Sequence, residues 1–272
     1  MTIYSHSRLS TFEKCPLSYK YKYLDKIKLE APFTGIEAHM GASVHAALED
    51  LYRRRKRNPY DKITLVGLLD KYETAWENRP SDLKIVNEEL TENDYFLQGK
   101  RILTDYYQTH HPFDKEETLS VEERIDVNIE GFKVMGFIDR LALNKTNGNL
   151  EIHDYKTAKT IPDESYLKND RQLSLYQIGV RKKYPQYEGR DVEVIYNYLK
   201  HNKEIRFKKT ETEINDVKKE IVGLIQTIEL AAWENNFHPR VGKLCNWCEF
   251  SMICTAFQER DEKQGIAEKI KE

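Results

Sequence analysis

The stretch Gly131–Lys159, GFKVMGFIDRLALNKTNGNLEIHDYKTAK, decides how this chain is read. It predicts two strands, 131–143 and 149–156, joined by a tight turn at Asn147-Gly148. Asn-Gly suits the positive φ angles of a two-residue hairpin turn. With a period of two, Leu150, Ile152, Asp154 and Lys156 share one face of the second strand. A carboxylate and a lysine therefore stand together at the end of an apolar face. Asp139 is expected to end the first strand in the same way, after Met135 and Phe137. Two acids and a lysine on neighbouring strands suit metal-assisted hydrolysis. The carboxylates hold a hard cation, and the ammonium orients or polarises a water. A plainer reading stands beside it, in which Asp139 pairs with Arg140 or Lys156 as a salt bridge at a strand end.

Outward from this hairpin, residues 121–129 (VEERIDVNI) alternate, with Val121, Ile125, Val127 and Ile129 on one face. Three consecutive strands make an antiparallel meander. After Pro162, the segment 166–184 reads as a helix with an apolar stripe of Leu173, Tyr176 and Val180, and it sets Gln172 and Tyr176 on one side. Residues 191–199 form a strand, paired with 203–208 through a turn at His201-Asn202. Residues 211–236 form a long amphipathic helix, opened by Thr210 and Glu213 as a capping box. The tail from Gln258 is charged.

On the other side, residues 7–24 read as a helix with Ser7 as its N-cap, kinked or restarted at Pro16. Its aromatics interleave with lysines, which fits a DNA contact or a solvated amphipathic face. A loop with Pro32 and Gly35 leads to a helix over 40–57, buried along Val44, Leu48 and Leu51. His45 and Glu49 lie one turn apart on it, so they can share a metal site or stand as surface groups. The run Arg53–Arg57 at its C-terminus complements the helix dipole or meets phosphates. Two more helices, 64–77 and 91–108, flank a polar segment with Pro80; Thr91 and Asp94 give the second a capping signal. His110-His111-Pro112 ends this helical insert as a surface feature.

The 272 residues suffice for one large domain or two small ones. Apolar residues are 39% and charged residues 32%, the balance of a soluble globular protein. No membrane-spanning run and no apolar signal core are visible, so a cytoplasmic protein is expected. A net charge of −2 argues against a uniformly cationic nucleic-acid coat, not against a local basic groove.

The four cysteines are Cys15 and the set Cys245, Cys248 and Cys254, spaced C-x2-C-x5-C. Disulfides are not expected inside a cell. Structural zinc sites usually draw ligands from two local pairs. One distant thiolate plus three close ones fits an iron–sulfur cluster better, with zinc and free thiols as the alternatives. A cluster here would staple the first helix to the C-terminal segment.

In order along the chain, SHSRLSTFEKCPLSYKYKY, GASVHAALE, GFIDRL, IHDYKTAK, QLSLY and CNWCEFSMIC resemble the RecB-like branch of the PD-(D/E)XK nuclease superfamily. They look most like its members with a four-cysteine iron–sulfur cluster, such as the AddB nuclease domain and the small nucleases of CRISPR adaptation. The resemblance implies an α/β, restriction-endonuclease-like fold, a mixed central sheet flanked by helices. It implies one nuclease domain over 1–272, with a helical insert at about 58–112 and a cluster cap formed by Cys15 and residues 237–257.

By the same resemblance, His45, Asp139, Asp154 and the backbone carbonyl of Tyr155 would ligate Mg²⁺ or Mn²⁺, with Glu49 as a less certain addition. Lys156 would be the catalytic lysine. Gln172 and Tyr176 would support the site, and Cys15, Cys245, Cys248 and Cys254 would hold a [4Fe–4S] cluster. Lys159, Lys168 and Arg171 would meet flanking phosphates. Ile138 replaces the proline that names the superfamily. The implied activity is a metal-dependent deoxyribonuclease, an exonuclease on single-stranded DNA ends in repair, recombination or phage DNA processing, with a protein partner in a repair or adaptation complex and no membrane. Two rivals are a catalytically silent accessory protein that binds DNA ends and a zinc-stabilised interaction protein whose acids only pair with lysines.

Overall fold

The computed structural model describes residues 2–29, 34–80, 83–85 and 89–260. Pro32, part of the polar segment before Leu90 and the tail beyond Arg260 lie outside them. In chain order the elements are β1 (Ile3–Ser5), α1 (His6–Lys14), α2 (Pro16–Tyr19), β2 (Thr34–Gly35), α3 (Ile36–Arg57), α4 (Leu65–Glu77), β3 (Leu83–Lys84), α5 (Glu92–His110), β4 (Glu116–Ile129), β5 (Phe132–Asn144), β6 (Leu150–Lys156), α6 (Glu164–Lys168), α7 (Arg171–Lys183), β7 (Val192–Tyr198), β8 (Lys203–Phe207) and α8 (Glu211–Trp233). Among the described residues no helix is long and apolar enough to cross a membrane. The chain divides into two compact units. One comprises the described residues of Met1–Ile3 and Thr34–Lys218, the other those of Tyr4–Phe33 and Lys219–Glu272.

The first unit is built on a mixed sheet. β4 and β6 both pair antiparallel with β5, β6 pairs parallel with β7, and β8 returns antiparallel. α3, α4 and α5 cover one face. Val44, Leu48, Leu51, Leu68, Ile102 and Leu103 pack there against Tyr155. α7 covers the other, setting Leu173, Tyr176 and Val180 against Leu141, Ile152 and Val194. Burying each such aliphatic side chain contributes roughly 1.5–3 kcal/mol, so these two apolar layers anchor the sheet. β6 and β7 are buried on both faces, as expected where a parallel pair is sandwiched between helices.

Local chemistry explains most element ends. Thr91 and Asp94 form a reciprocal capping box at the start of α5, and Thr210 with Glu213 does the same for α8. Asn202, at φ 44°, makes the left-handed turn between β7 and β8. In the second unit, Pro16 restarts the helix as expected, occupying the first turn of α2.

Several boundaries differ from the sequence reading. α1 is capped by Ser5, whose hydroxyl accepts from the Arg8 amide at 3.1 Å, and not by Ser7. The expected single helix over 166–184 breaks into α6 and α7, because the Asp170 side chain caps the second through the Gln172 amide at 2.8 Å. The β5–β6 connection is longer than two residues. Gly148 takes the positive φ, 76°, but its amide bonds the Asn144 carbonyl at 2.9 Å, closing a wider loop. β4 starts at Glu116, and β5 runs on to Asn144, so Asp139 lies inside its strand and not at its end. His110 is no simple surface group: its ring stacks on Tyr106 with centroids 4.2 Å apart.

Candidate active site

The β5–β6 ladder ends at the pair Arg140–His153. Beyond it the strands part, and the freed backbone groups of β6 need other partners. The Tyr155 amide donates to Asp139 Oδ2 at 2.8 Å. The Tyr155 carbonyl lies 2.9 Å from His45 Nε2. His45 reaches it because α3 passes close to the end of β6. A Cβ on Gly41 would stand 2.8 Å from the Thr157 hydroxyl, so a larger residue here would have to push that side chain aside. His45 Nδ1 in turn lies 3.7 Å from Asp139 Oδ2.

Period-two alternation puts Asp154 and Lys156 side by side, and Lys156 Nζ pairs with Asp154 Oδ2 at 2.6 Å. The Lys156 ammonium also sits 5.5 Å from the ring centroid of Tyr196, a cation–π contact from the neighbouring strand β7. The Tyr196 hydroxyl donates to Asp170 Oδ2 at 2.7 Å, tying β7 to the start of α7. Gln172 hydrogen-bonds Tyr176 through side chains, and Tyr176 packs close to Gly136 of β5.

The electrostatics follow from burial and crowding. Burial, then the charge of Asp154, pushes the Asp139 carboxyl up to about 7. For Lys156, burial works to lower the pKa, but the charges of Asp154 and Asp139 outweigh it and hold the ammonium protonated. A protonated lysine beside crowded carboxylates is the arrangement that stabilises developing negative charge.

The structure thus brings His45, Asp139, Asp154, the Tyr155 carbonyl and Lys156 to one place, with Gln172 and Tyr176 on the adjoining helix. Glu49 stands apart from the tightest group and is held by Arg53 at 2.6 Å. Of the residues expected to meet phosphates, Lys168 pairs with Glu213 at 3.2 Å, Arg171 is buried, and Lys159 is exposed. The basic run at the end of α3 is partly spent on its own surroundings, Arg54 on Asp61 at 2.8 Å and Arg55 on the Phe113 carbonyl at 3.0 Å.

One residue of the site was not visible as such in the sequence. Glu122 of β4 lies opposite Asp139, and the ladder skips that pair between Val121–Arg140 and Glu123–Ile138. Its backbone has φ 49°. Val121 packs with the α3–α5 cluster and Ile125 with the α7 cluster, so the expected single face turns over between them. His45, Glu122 and Asp139 each offer a ligand atom within 4.8 Å of the others. One imidazole and two carboxylates, with Asp154 beside them, form a donor set suited to a hard divalent cation.

In the second unit, Cys15, Cys245, Cys248 and Cys254 line one cavity of about 350 Å³. The Arg240 amide points at Cys15 Sγ at 3.4 Å, and the Gly242 amide at Cys245 Sγ at 3.3 Å. Burial, then the neighbouring Cys15 and Cys245, raises the Cys248 pKa. The rings of Phe12 and Tyr19 pack on Phe237, and Lys22 pairs with Glu249 at 2.6 Å, so the two chain segments of this unit hold each other.

Comparison with known proteins places this geometry. Residues 3–255 match the family profile described as the PD-(D/E)XK nuclease superfamily. A stretch of 172 residues is 27% identical to the B-type subunit of the ATP-dependent helicase/deoxyribonuclease from Carboxydothermus hydrogenoformans, covering 56% of this chain and 16% of that protein. This chain thus spans only a small part of that relative. A solved structure described as a candidate exonuclease from Eubacterium rectale aligns over 90% of this chain and 86% of its own, at 17% identity and a TM-score of 0.45. The mixed sheet between helical layers agrees with the restriction-endonuclease-like fold of the matched superfamily.

Proposed function

We propose that this chain, which belongs to the PD-(D/E)XK nuclease superfamily, is a divalent-metal-dependent deoxyribonuclease acting as an exonuclease on single-stranded DNA ends. The observation that carries the reading is the convergence of Asp139, Asp154 and Lys156 where the β5–β6 ladder opens, with His45 and the Tyr155 carbonyl facing them. Asp139, Asp154, His45 and the Tyr155 carbonyl would hold Mg²⁺ or Mn²⁺. Bound there, such an ion supplies charge neutralisation at the scissile phosphate and a more acidic water. Lys156 orients the attacking water and stabilises the negative charge that grows on the phosphate. Asp170 and Tyr196 position Lys156 by fixing the surface beneath its ammonium. Gln172 and Tyr176 keep α7 against the site.

Membership in the superfamily supports nuclease chemistry. The choice of DNA, of single strands and of ends is the finer part of the proposal. So is a partner: similarity to part of a helicase/deoxyribonuclease component suggests work within a larger repair or recombination machine. The four cysteines are proposed to hold a [4Fe–4S] cluster with a structural role. Two backbone amides directed at sulfur atoms support this, since such hydrogen bonds tune and stabilise clusters. Four thiolates on one zinc ion would lie about 3.8 Å apart, from Zn–S bonds of about 2.3 Å. Among the described residues no three of these sulfurs come within 4.8 Å of one another, so the cluster reading rests on the cysteine spacing and the two amides.

The test is degradation of end-labelled single-stranded DNA with Mg²⁺ or Mn²⁺ by wild type and Asp154→Ala, in anaerobically purified protein assayed for iron and sulfide. Wild type is expected to degrade the strand, and the variant to lose about 10³-fold or more, as when a charge-stabilising group is removed. Equal rates in the two proteins would reject the assigned site. DNA binding without cleavage by wild type would favour the silent accessory protein.

A further inference from the structure

We propose that Glu122 is a further protein ligand of the divalent cation, completing the group begun by His45 and Asp139. The inference rests on the metal-dependent reading above and adds to it a residue from a different strand.

Three observations carry it. His45, Glu122 and Asp139 present ligand atoms that all lie within 4.8 Å of one another. This is the span of donors around a single hard cation, whose oxygen ligands sit at roughly 2.0–2.6 Å. Second, the Glu122 carboxylate is half-buried, yet no hydrogen bond or ion pair holds it among the described residues. Its neighbour Glu123, by contrast, pairs with Lys183 at 2.6 Å and accepts from the Tyr184 hydroxyl. A carboxylate drawn out of water usually has a partner of opposite charge; a cation fits that role here. Third, the backbone bends to place it. Glu122 is a non-glycine residue at φ 49°, at a point where the β4–β5 ladder skips a pair. An irregularity in a strand re-aims a side chain and recurs beside active sites. The register is the same on both sides of the skipped pair, so Glu122 stands directly opposite Asp139, as cross-strand neighbours do.

The acidic group one turn along from His45 does not compete for this role. Glu49 is satisfied by Arg53 through two nitrogens, at 2.6 and 2.7 Å. Glu122 thus brings the carboxylates around His45 to three when Asp154 is counted, enough for a six-coordinate ion that keeps waters for substrate exchange.

The experiment is Mn²⁺ titration of the intact protein, read by calorimetry and by the electron spin resonance of free Mn²⁺, so that no catalytic turnover is needed. Wild type is compared with Glu122→Gln, Glu122→Gly, Asp139→Asn and the exposed control Glu117→Gln, each with a thermal melt. Glu122→Gln and Glu122→Gly are expected to weaken Mn²⁺ binding about tenfold or more, in the range seen when metal-site groups are lost. Glu117→Gln should bind as wild type does. Glycine tolerates the positive φ, so Glu122→Gly should melt at least as high as wild type in the absence of metal. Lost affinity in a protein that folds at least as well then assigns the loss to the carboxylate. If both Glu122 variants bind Mn²⁺ like wild type while Asp139→Asn does not, Glu122 is no ligand. If Asp139→Asn also binds like wild type, the metal-site reading itself fails, and the Glu122 proposal with it.

Discussion

Two groups of one imidazole and two carboxylates lie among the described residues of the first unit, and they are electrostatic opposites. In one, His45 stands with Glu122 and Asp139; in the other, His153 stands with Glu116 and Glu151. The residue types match, and the surroundings do not. Glu116 faces Arg140 at 2.7 Å, and Glu151 faces Arg206 at 2.7 Å and the Asn144 amide at 2.9 Å. Burial works to raise both carboxyls, but these partners and His153 outweigh it. Glu116 is held below its ordinary value, and Glu151 falls to about 2. His153, between them, is pushed down by burial and by Arg140. In the first group the balance reverses. Burial, then like charge, raises Asp139 to about 7 and raises Glu122. A set of ligand-type side chains is therefore not yet a metal site. The second group already contains its cations, as guanidinium, and it ties β4, β5, β6 and β8 together. In the first, no guanidinium pairs with Glu122 or Asp139 among the described residues, which is why we propose it, and not the second, as the cation site.

The comparison breaks most visibly at Arg140. Its side chain is 2% exposed and lies 3.9 Å over the Tyr52 ring while pairing with Glu116. Arg140→Ala leaves Glu116 without its cation in the interior, which costs about 3–5 kcal/mol of stability. Urea denaturation should show that loss. Arg140→Met combined with Glu116→Gln should recover much of it, because the packing volume returns and the stranded charge is gone. A small effect of Arg140→Ala would mean that water reaches this network and that the two groups differ less than their partners imply.

The two groups should also answer pH in opposite directions. Glu116 and Glu151 have folded-state values below their unfolded ones. Their contribution is present above about 4.5 and is lost as pH falls toward 2 for Glu151. Asp139 is raised from 3.8 to about 7. Here the folded state binds the proton more tightly, so its favourable contribution is full below 3.8 and is lost as pH rises through 7. Metal-free protein should lose stability from this group between those limits, and Asp139→Asn should flatten that limb alone. Added Mn²⁺ should stabilise more as pH rises toward and past 7, since it no longer competes with the proton. Thermal melts from pH 3 to 8, with and without Mn²⁺, check this. A gain from Mn²⁺ that is independent of pH would count against Asp139 as a ligand.

What the sequence disclosed of these regions depends on range. Asp154 and Lys156 were legible because a strand fixes their common face, and His45 because it lies on the helix that Val44, Leu48 and Leu51 define. The capping boxes of α5 and α8 are local too. Asp139 was legible as a residue but not in its position, since β5 continues past it as long as β4 lies alongside. Glu122 reads in the sequence as an ordinary strand residue. Nothing in VEERI announces the left-handed φ at Glu122. Asp170 likewise looks like helix interior in NDRQL, whereas its side chain caps α7. The Glu116–Arg140 and Glu151–Arg206 pairs join residues 24 and 55 positions apart and carry no local signature.

Glu49 draws the outer edge of the comparison and carries the smallest expected effect. It sits one turn beyond His45, close enough for its charge to raise Glu122. If it belonged to the cation group it would need to leave Arg53, 54% exposed, with which it forms an i,i+4 pair at 2.6 Å. Such exposed pairs contribute only about 0–1 kcal/mol, so the pair itself would not prevent recruitment. Glu49, like Asp154, lies outside the group whose donors fall within 4.8 Å of one another, but it is Asp154 and not Glu49 whose charge acts on Asp139. Glu49→Gln is therefore expected to change Mn²⁺ affinity by less than about fivefold, the ratio equivalent to 1 kcal/mol, and through charge alone. An effect of charge alone fades with salt, so the difference should shrink at high ionic strength. A loss matching that of Glu122→Gln, unchanged by salt, would make Glu49 a direct ligand and extend the group along α3 to a second cation.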